Sequence, residues 1–315
     1  MNQAWYDTIV ANVSCADTLD TLQCLREVPF ESLNAAVNVT STGTYGFVPS
    51  IDGDFLRNWG SLQLSKGQFV KVPIIMGTNT DEGTFFSPNG INNDQQLYDF
   101  LTGNVTLIPF PYSATADYLL AGAAGYNLTS SMADKIQSLY PNVPRDGIPA
   151  YLGNETVQSK GLEWRRVSTY AGDFLMHASR RKQCKAWAAF GVTAYCYRFN
   201  VHSSQAPYIM GATHFEEVAF VFNNLEGVGY HYGKPFTGTP PSYSQLSYLM
   251  SSMWASFIHE SNPNTGGTAP KWPVYKRREA EDFVFDANIT SYIENDTWRG
   301  EAIDFINSLS TYLQR

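Results

Sequence analysis

The sequence predicts an α/β fold built on parallel strands, and three observations predict it. The segment VKVPIIMGTNTDEGTFF at residues 70–86 joins a short β-branched apolar run to the polar cluster Asp81-Glu82-Gly83, the pattern of a buried strand that ends in a turn. The segment GDFLMHASRRKQCKAWAAFG reads as an amphipathic helix stopped by Gly191, and it feeds a strand at 193–199; helix then strand is half of a parallel crossover. The loop after that strand carries His214 in GATHFEEVAFVF. Open parallel sheets place their chemistry at the carboxyl ends of strands. An acid at 82 and a histidine at 214, each just past its own strand, therefore read as two members of a hydrolase triad. A scan for G-x-S-x-G, the strained elbow that lifts a nucleophilic serine above such a sheet, finds no match between Met1 and Arg315.

The remaining elements follow in order. Residues 16–37 carry a helical pattern broken at Pro29, with FES opening a fresh helix. Asp52-Gly53 in YGFVPSIDGDFL predicts a tight turn between two short extended pieces. Strand 70–77 comes next. Helices are predicted near 93–102, 113–122, 130–139 and 157–171, separated by clusters of Pro, Gly and Asn. After His214 a Gly- and Pro-rich stretch leads to a helix at about 243–260, whose apolar positions Leu246, Leu249, Met250, Met253, Trp254, Phe257 and Ile258 form one broad buried face. KWPVY and EDFVFDANITSYI read as extended, and 296–314 as a closing helix opened by Asp296. No internal repeat, low-complexity tract or domain linker interrupts the chain.

Composition narrows the function. With 315 residues and 43% hydrophobic content the chain supports a real core. The formal charge of −8 comes from dispersed acids, with basic runs only at Arg180-Arg181-Lys182 and Lys276-Arg277-Arg278, which argues against nucleic acid as a partner. No stretch of 18 consecutive apolar residues is present, so no membrane span is expected, and MNQAWYDTIV lacks the basic start and apolar stretch of a signal peptide. The glycosylation sequon N-x-S/T nevertheless occurs at Asn12, Asn38, Asn104, Asn127, Asn154, Asn288 and Asn295, against about three expected by chance. That excess points to a secreted glycoprotein. Cys15 and Cys24 flank the short acidic loop CADTLDTLQC, and a disulfide there is worth about 2.5–3 kcal/mol by chain entropy and fits an oxidising compartment. Cys184 in the helix and Cys196 in the strand read as two buried free thiols.

At the candidate site each residue has two readings. Glu82 is either the acid that orients a catalytic imidazole or part of a polar turn that caps the following helix. His214 is either a general base or a satisfied structural histidine. Glu216 and Glu217 lie close enough to tune such a base, with solvation expected for at least one of them. His177, His202, His231 and His259 show no zinc-ligand spacing, so no metal site is expected.

The strings IDGDFL, VPIIMGTNTDEGTFF, GATHFEEVAFVF, MWASFIHESNPN and PKWPVY, in this order and spacing, resemble the type-B carboxylesterase/lipase family, which includes the cholinesterases and secreted fungal lipases. The resemblance covers essentially the whole chain and corresponds to the C-terminal half of that family's domain. It implies an α/β-hydrolase fold represented by its C-terminal portion, the last strands of the sheet with their surrounding helices, and a missing N-terminal half. It also implies ester hydrolysis without a cofactor, on a small-molecule or lipid ester, with Glu82 as triad acid, His214 as triad base and Glu217 supporting the site from behind. Cys15 and Cys24 match a disulfide loop of the family. On this reading the nucleophilic serine, the oxyanion loop and the signal peptide lie outside the chain, which is then a fragment, inactive and aggregation-prone by itself. A non-catalytic relative that serves binding or adhesion is the alternative.

Overall fold

The computed structural model describes residues 2–40, 51–104, 128–230, 233–267 and 270–313, and these fall into two compact units divided between Asn58 and Trp59. The first unit is helical, with α1 (Asn2–Asn12), α2 (Thr21–Glu27) and α3 (Phe30–Thr40). The Asp20 carboxylate starts α2 by accepting the amide of Gln23 at 2.9 Å. Pro29, which has no N–H to donate, separates α2 from α3. Cys15 and Cys24 are disulfide-bonded, with their Cα atoms 5.8 Å apart. At Asp52-Gly53 the Asp52 carboxylate accepts the amides of Asp54 and Leu56, each at 2.9 Å. The expected turn is thus a side-chain-held one, and the extended piece proposed before it falls largely outside the described residues.

The second unit opens with α4 (Gly60–Ser65) and β1 (Ile74–Asn79). The short helix α5 (Gly83–Phe86) follows, then α6 (Asp94–Thr102) and α7 (Ser130–Leu139). Next, α8 (Trp164–Gly172) runs through one π-helical turn at Asp173–His177 into α9 (Ala178–Ala189), and β2 (Ala194–Phe199) follows. The last elements are α10 (Glu217–Val221), α11 (Pro241–Glu260), β3 (Glu281–Phe285), β4 (Tyr292–Asn295) and α12 (Gly300–Ser308). The strand order is β1-β2-β3-β4; β1, β2 and β3 are mutually parallel and β4 is antiparallel to β3. The long crossovers that parallel pairing requires are supplied by α5–α9 between β1 and β2 and by α10–α11 between β2 and β3.

Side chains alternate along β2 as a strand dictates. Tyr195, Tyr197 and Phe199, with Phe283 and Phe285 of β3, pack with Trp272 against Phe220 of α10 and Met250 and Met253 of α11. On the other set of positions, Ala194 and Cys196 pack against Cys184 and Trp187 of α9. That crossover brings the two sulfurs together, and Cys184 and Cys196 form a disulfide with Cα atoms 6.7 Å apart. The expectation of two free thiols is corrected accordingly: α9 returns directly onto the strand that follows it, so residues 12 apart in sequence face each other. Beside them lies a charged layer, in which Arg180 pairs with Asp282 at 2.9 Å and Asp296 at 2.6 Å, and Arg181 with Asp296 at 2.6 Å.

Several expectations are corrected by local chemistry. Strand β1 begins at Ile74 and not at residue 70, because Pro73 cannot donate; the first bond across to the neighbouring strand runs from the Ile74 amide to the Thr193 carbonyl, at 3.1 Å. The helix expected at 157–171 starts only at Trp164, after Gly161 with its positive φ of 123°. The closing helix starts after Arg299, whose φ is +46°. KWPVY forms no strand; Pro273 interrupts it, and it joins the sheet through a bond from the Tyr275 amide to the Ala194 carbonyl at 2.8 Å and one from the Trp272 indole to the Cys196 carbonyl at 2.9 Å. The helix expected at 113–122 lies outside the described residues. The expectation of a chain reduced to the last strands of its domain, with the N-terminal half missing, is also corrected, since the four helices α1–α4 precede the sheet. Among the described residues no helix is long and apolar enough to cross a membrane.

Candidate active site

Parallel pairing sets the carboxyl ends of β1 and β2 level: the register runs from Ile74 opposite Ala194 to Asn79 opposite Phe199. The turn after β1 carries Glu82 and the loop after β2 carries His214, so two residues distant in sequence leave adjacent strands at one rim. There Nδ1 of His214 and a carboxylate oxygen of Glu82 are 2.6 Å apart. The other Glu82 oxygen accepts the backbone amide of Asn79 at 2.8 Å. Glu82 is buried, with 4% of its surface exposed. The His214 side chain keeps 33% of its surface exposed, and among the described residues its Nε2 makes no hydrogen bond. A buried carboxylate on Nδ1 and an accessible Nε2 are the two sides of a general base.

The surrounding residues hold this geometry from both loops. The Asn79 side-chain amide donates to the Thr213 carbonyl and to Glu217, both at 2.7 Å. Glu217 thus reaches the pair through Asn79. Asp81 and Ala212 exchange two bonds of 2.9 Å, the Asp81 amide donating to the Ala212 carbonyl and the Ala212 amide to the Asp81 carboxylate. The Thr84 hydroxyl lies 2.7 Å from the Met210 carbonyl and 2.8 Å from the Thr213 hydroxyl. Glu216 accepts the amide of Ser203 at 3.0 Å, so both Glu216 and Glu217 are half-buried acids with a protein donor. Phe215, directly after His214, takes a positive φ of 78°, an uncommon conformation for a bulky residue that is kept where the surroundings impose it. The rings of Phe86 and Phe85 lie 4.8 and 5.7 Å from the imidazole, centre to centre.

Burial and charge act together here. Burial pulls the His214 imidazole down, but the hydrogen bond and charge of Glu82, with the charge of Glu217, outweigh it and raise its pKa above the ordinary 6.5. Burial pushes Glu217 up, assisted by the neighbouring charge of Glu82. Burial also raises Glu216 to about 9 and Asp81 to about 7. Asn79, Thr84 and Thr213 are not singled out from sequence, and Asp81 is marked there only as part of a polar turn, because the partners that give them a role lie more than 120 residues away. The only local hint was their crowding around Glu82 and His214.

Of the other candidate residues, Asn12, Asn38, Asn104, Asn154, Asn288 and Asn295 are exposed, and Asn127 lies outside the described residues. Among the described residues no group of three or more His, Cys, Asp and Glu side chains is placed to hold a metal ion.

Comparison with known proteins places the chain in a family. The profile of the carboxylesterase family matches residues 2–301, and the chain belongs to that family. Curated relatives include secreted lipase 1 of Botryotinia fuckeliana, 25% identical over 96% of this chain and 48% of its own length. Another is the para-nitrobenzyl esterase of Bacillus subtilis, 28% identical over 79% of this chain and 41% of its own length. The crystal structure of Aspergillus niger EstA superposes with a TM-score of 0.67 at 18% identity, covering 99% of this chain and 56% of that one. The chain thus spans about half the length of the curated relatives it matches. These findings correct the expectation of a C-terminal fragment without its nucleophile: the family match runs from residue 2 to residue 301. That expectation rested on the order of five short motifs and on the absence of the G-x-S-x-G spelling, whereas the family match weighs the whole chain.

Proposed function

We propose that this chain carries the acid and the base of a secreted serine carboxylic ester hydrolase. Glu82 serves as the acid and His214 as the base. The observation that carries the reading is the 2.6 Å contact between His214 Nδ1 and Glu82 at the carboxyl rim of parallel strands, with the opposite imidazole edge accessible. Nε2 takes the proton of a serine hydroxyl as its oxygen attacks the ester carbonyl. Glu82 holds the Nδ1 proton and stabilises the imidazolium without itself being protonated. The imidazolium then returns the proton to the leaving alkoxide, an acyl-enzyme remains, and water, activated by the same base, releases the acid. No cofactor enters these steps. Phe85, Phe86 and the exposed Phe215 give the rim an apolar character suited to the hydrocarbon part of an ester. Two disulfides, six exposed sequons and the naming of several relatives as secreted lipases support an extracellular location.

The reading is tested with short- and long-chain p-nitrophenyl esters and a fluorophosphonate probe, whose attachment site, found by mass spectrometry, identifies the nucleophile. His214→Ala is expected to lower kcat/KM by about 10³-fold or more and Glu82→Gln by a comparable order. Near-wild-type turnover by both variants would remove the assignment.

A further inference from the structure

Two loops have to be held in register for an imidazole and a carboxylate 132 residues apart to meet at 2.6 Å. His214 sits in an irregular connection between β2 and α10, so the sheet itself does not fix its position. What fixes it is visible one residue before the acid. Asp81 gives its amide to the Ala212 carbonyl and takes the Ala212 amide on its carboxylate, each at 2.9 Å. The second carboxylate oxygen, Oδ1, is buried with no hydrogen-bond partner, so the side chain is spent on this one contact.

Gly211 completes the arrangement. Its φ is +65°, and a Cβ built there would lie 2.1 Å from the Asp81 carboxylate oxygen; only glycine lets the loop come this close. On the far side of the turn the Thr84 hydroxyl meets the Met210 carbonyl and the Thr213 hydroxyl. The four residues ahead of His214 are therefore clasped by the two residues that flank Glu82 and Gly83.

We propose that Asp81, seated against Gly211 and Ala212, is the positioning residue that sets His214 within hydrogen-bond reach of Glu82. The proposal rests on the reading of Glu82 and His214 as acid and base, and deepens it: Asp81 touches no reacting atom and acts through the loop.

The test reads the imidazole directly. In 15N-labelled protein, the low-field Nδ1 proton and the pH titration of His214, assigned by its loss in His214→Ala, report the bond to Glu82. Asp81→Ala is expected to abolish the low-field signal and bring the His214 pKa back toward 6.5. Asp81→Asn, whose carbonyl oxygen can still accept the Ala212 amide, is expected to retain both. Gly211→Ala leaves the carboxylate in the chain but displaces it, and is expected to behave like Asp81→Ala; it carries the same expectation if Asp81→Ala fails to fold. In turnover, Asp81→Ala is expected to lose about 10²-fold in kcat with KM little changed, as for a misplaced catalytic group. Folded Asp81→Ala or Gly211→Ala protein with an unchanged signal and titration would overturn the proposal, as would loss of the signal in Asp81→Asn. If no form of the protein hydrolysed esters, the functional reading would fall while the spectroscopic arms still decided the clasp.

Discussion

His214 is the point where opposing electrostatic effects meet, and their balance has a measurable consequence. Burial disfavours the imidazolium, yet the bond and charge of Glu82 prevail and hold the pKa above 6.5. Only the neutral imidazole can accept a proton at Nε2. The ester-hydrolysis rate kcat/KM is therefore expected to rise with pH through an apparent pKa above that of a free histidine. Glu82→Gln keeps the shape and removes the charge, so whatever activity it retains is expected to rise at lower pH than in the wild type. A rate that falls as pH climbs from 6 to 8 would contradict this. Both members of the pair were legible in sequence because Glu82 closes an apolar run and His214 lies in the loop that follows the next strand, and the carboxyl ends of parallel strands are where such groups are found. Asn79 was not legible: its side chain acts on Thr213 and Glu217 across the fold, and nothing local to TNT announces those partners.

Among the elements, α5 and α8 make the contact on which the acid depends. A Cβ at Gly83 would lie 1.8 Å from the Ser168 carbonyl oxygen and 2.4 Å from the Gly172 amide nitrogen, so the turn carrying Glu82 sits directly on the backbone of α8. Backbone cannot yield as a side-chain end does. Gly83→Ala is expected to destabilise the fold by about 3 kcal/mol, the upper part of the overpacking range, and to weaken the Glu82–His214 bond. Gly60→Ala, with nothing within 4 Å of its Cβ, is the control and should be neutral or slightly stabilising. Denaturant unfolding of the two variants measures the difference, and equal midpoints would show that the close approach is not required. The sequence marked Gly83 as a turn residue, which is its local role; the partner helix that forbids any larger residue became visible only in the fold. Strand, helix and crossover order were legible from periodicity at β1, α9, β2 and α11. The boundaries moved where a single proline or a left-handed residue decided the matter, as at Pro73 and Arg299. The disulfide between Cys184 and Cys196 escaped for the same reason as Asn79, since a tertiary return brings the two sulfurs together.

Across the whole molecule, buried ionisable groups set how stability responds to pH, and the signs can be worked out group by group. Glu216 is raised to about 9 and Asp81 to about 7, each chiefly by burial. Between their unfolded values and these pKa values the native state holds protons that the unfolded chain releases, so their contribution falls as pH rises. His214, raised above 6.5, has the same sign: its contribution is present below the unfolded pKa and lost as pH climbs through the folded one. Two groups oppose them on the acid side. His177, held neutral by burial and by the charges of Arg299, Arg180 and Arg181, costs stability once the pH drops below 6.5, where the unfolded imidazole takes up a proton. Asp296, lowered to about 2 by Arg180 and Arg181 against the effect of burial, loses its contribution as pH falls from 3.8 through 2. Between pH 7 and 9 neither opposing group titrates, which leaves Glu216 and His214, with Asp81 and Asp282 (each raised to about 7 chiefly by burial) at the lower end of the window, to govern the slope. The thermal midpoint is therefore expected to decline across that window. Glu216→Gln, neutral throughout and still able to accept the Ser203 amide, is expected to flatten the decline, while His214→Ala removes the smaller part. Calorimetry at half-unit pH steps measures both. A midpoint that rises steadily from pH 7 to 9 in the wild type would mean that Glu216 is ionised in the native state. A half-buried carboxylate there would then be stabilised by solvent or a positive partner, and the slope in Glu216→Gln would remain unchanged.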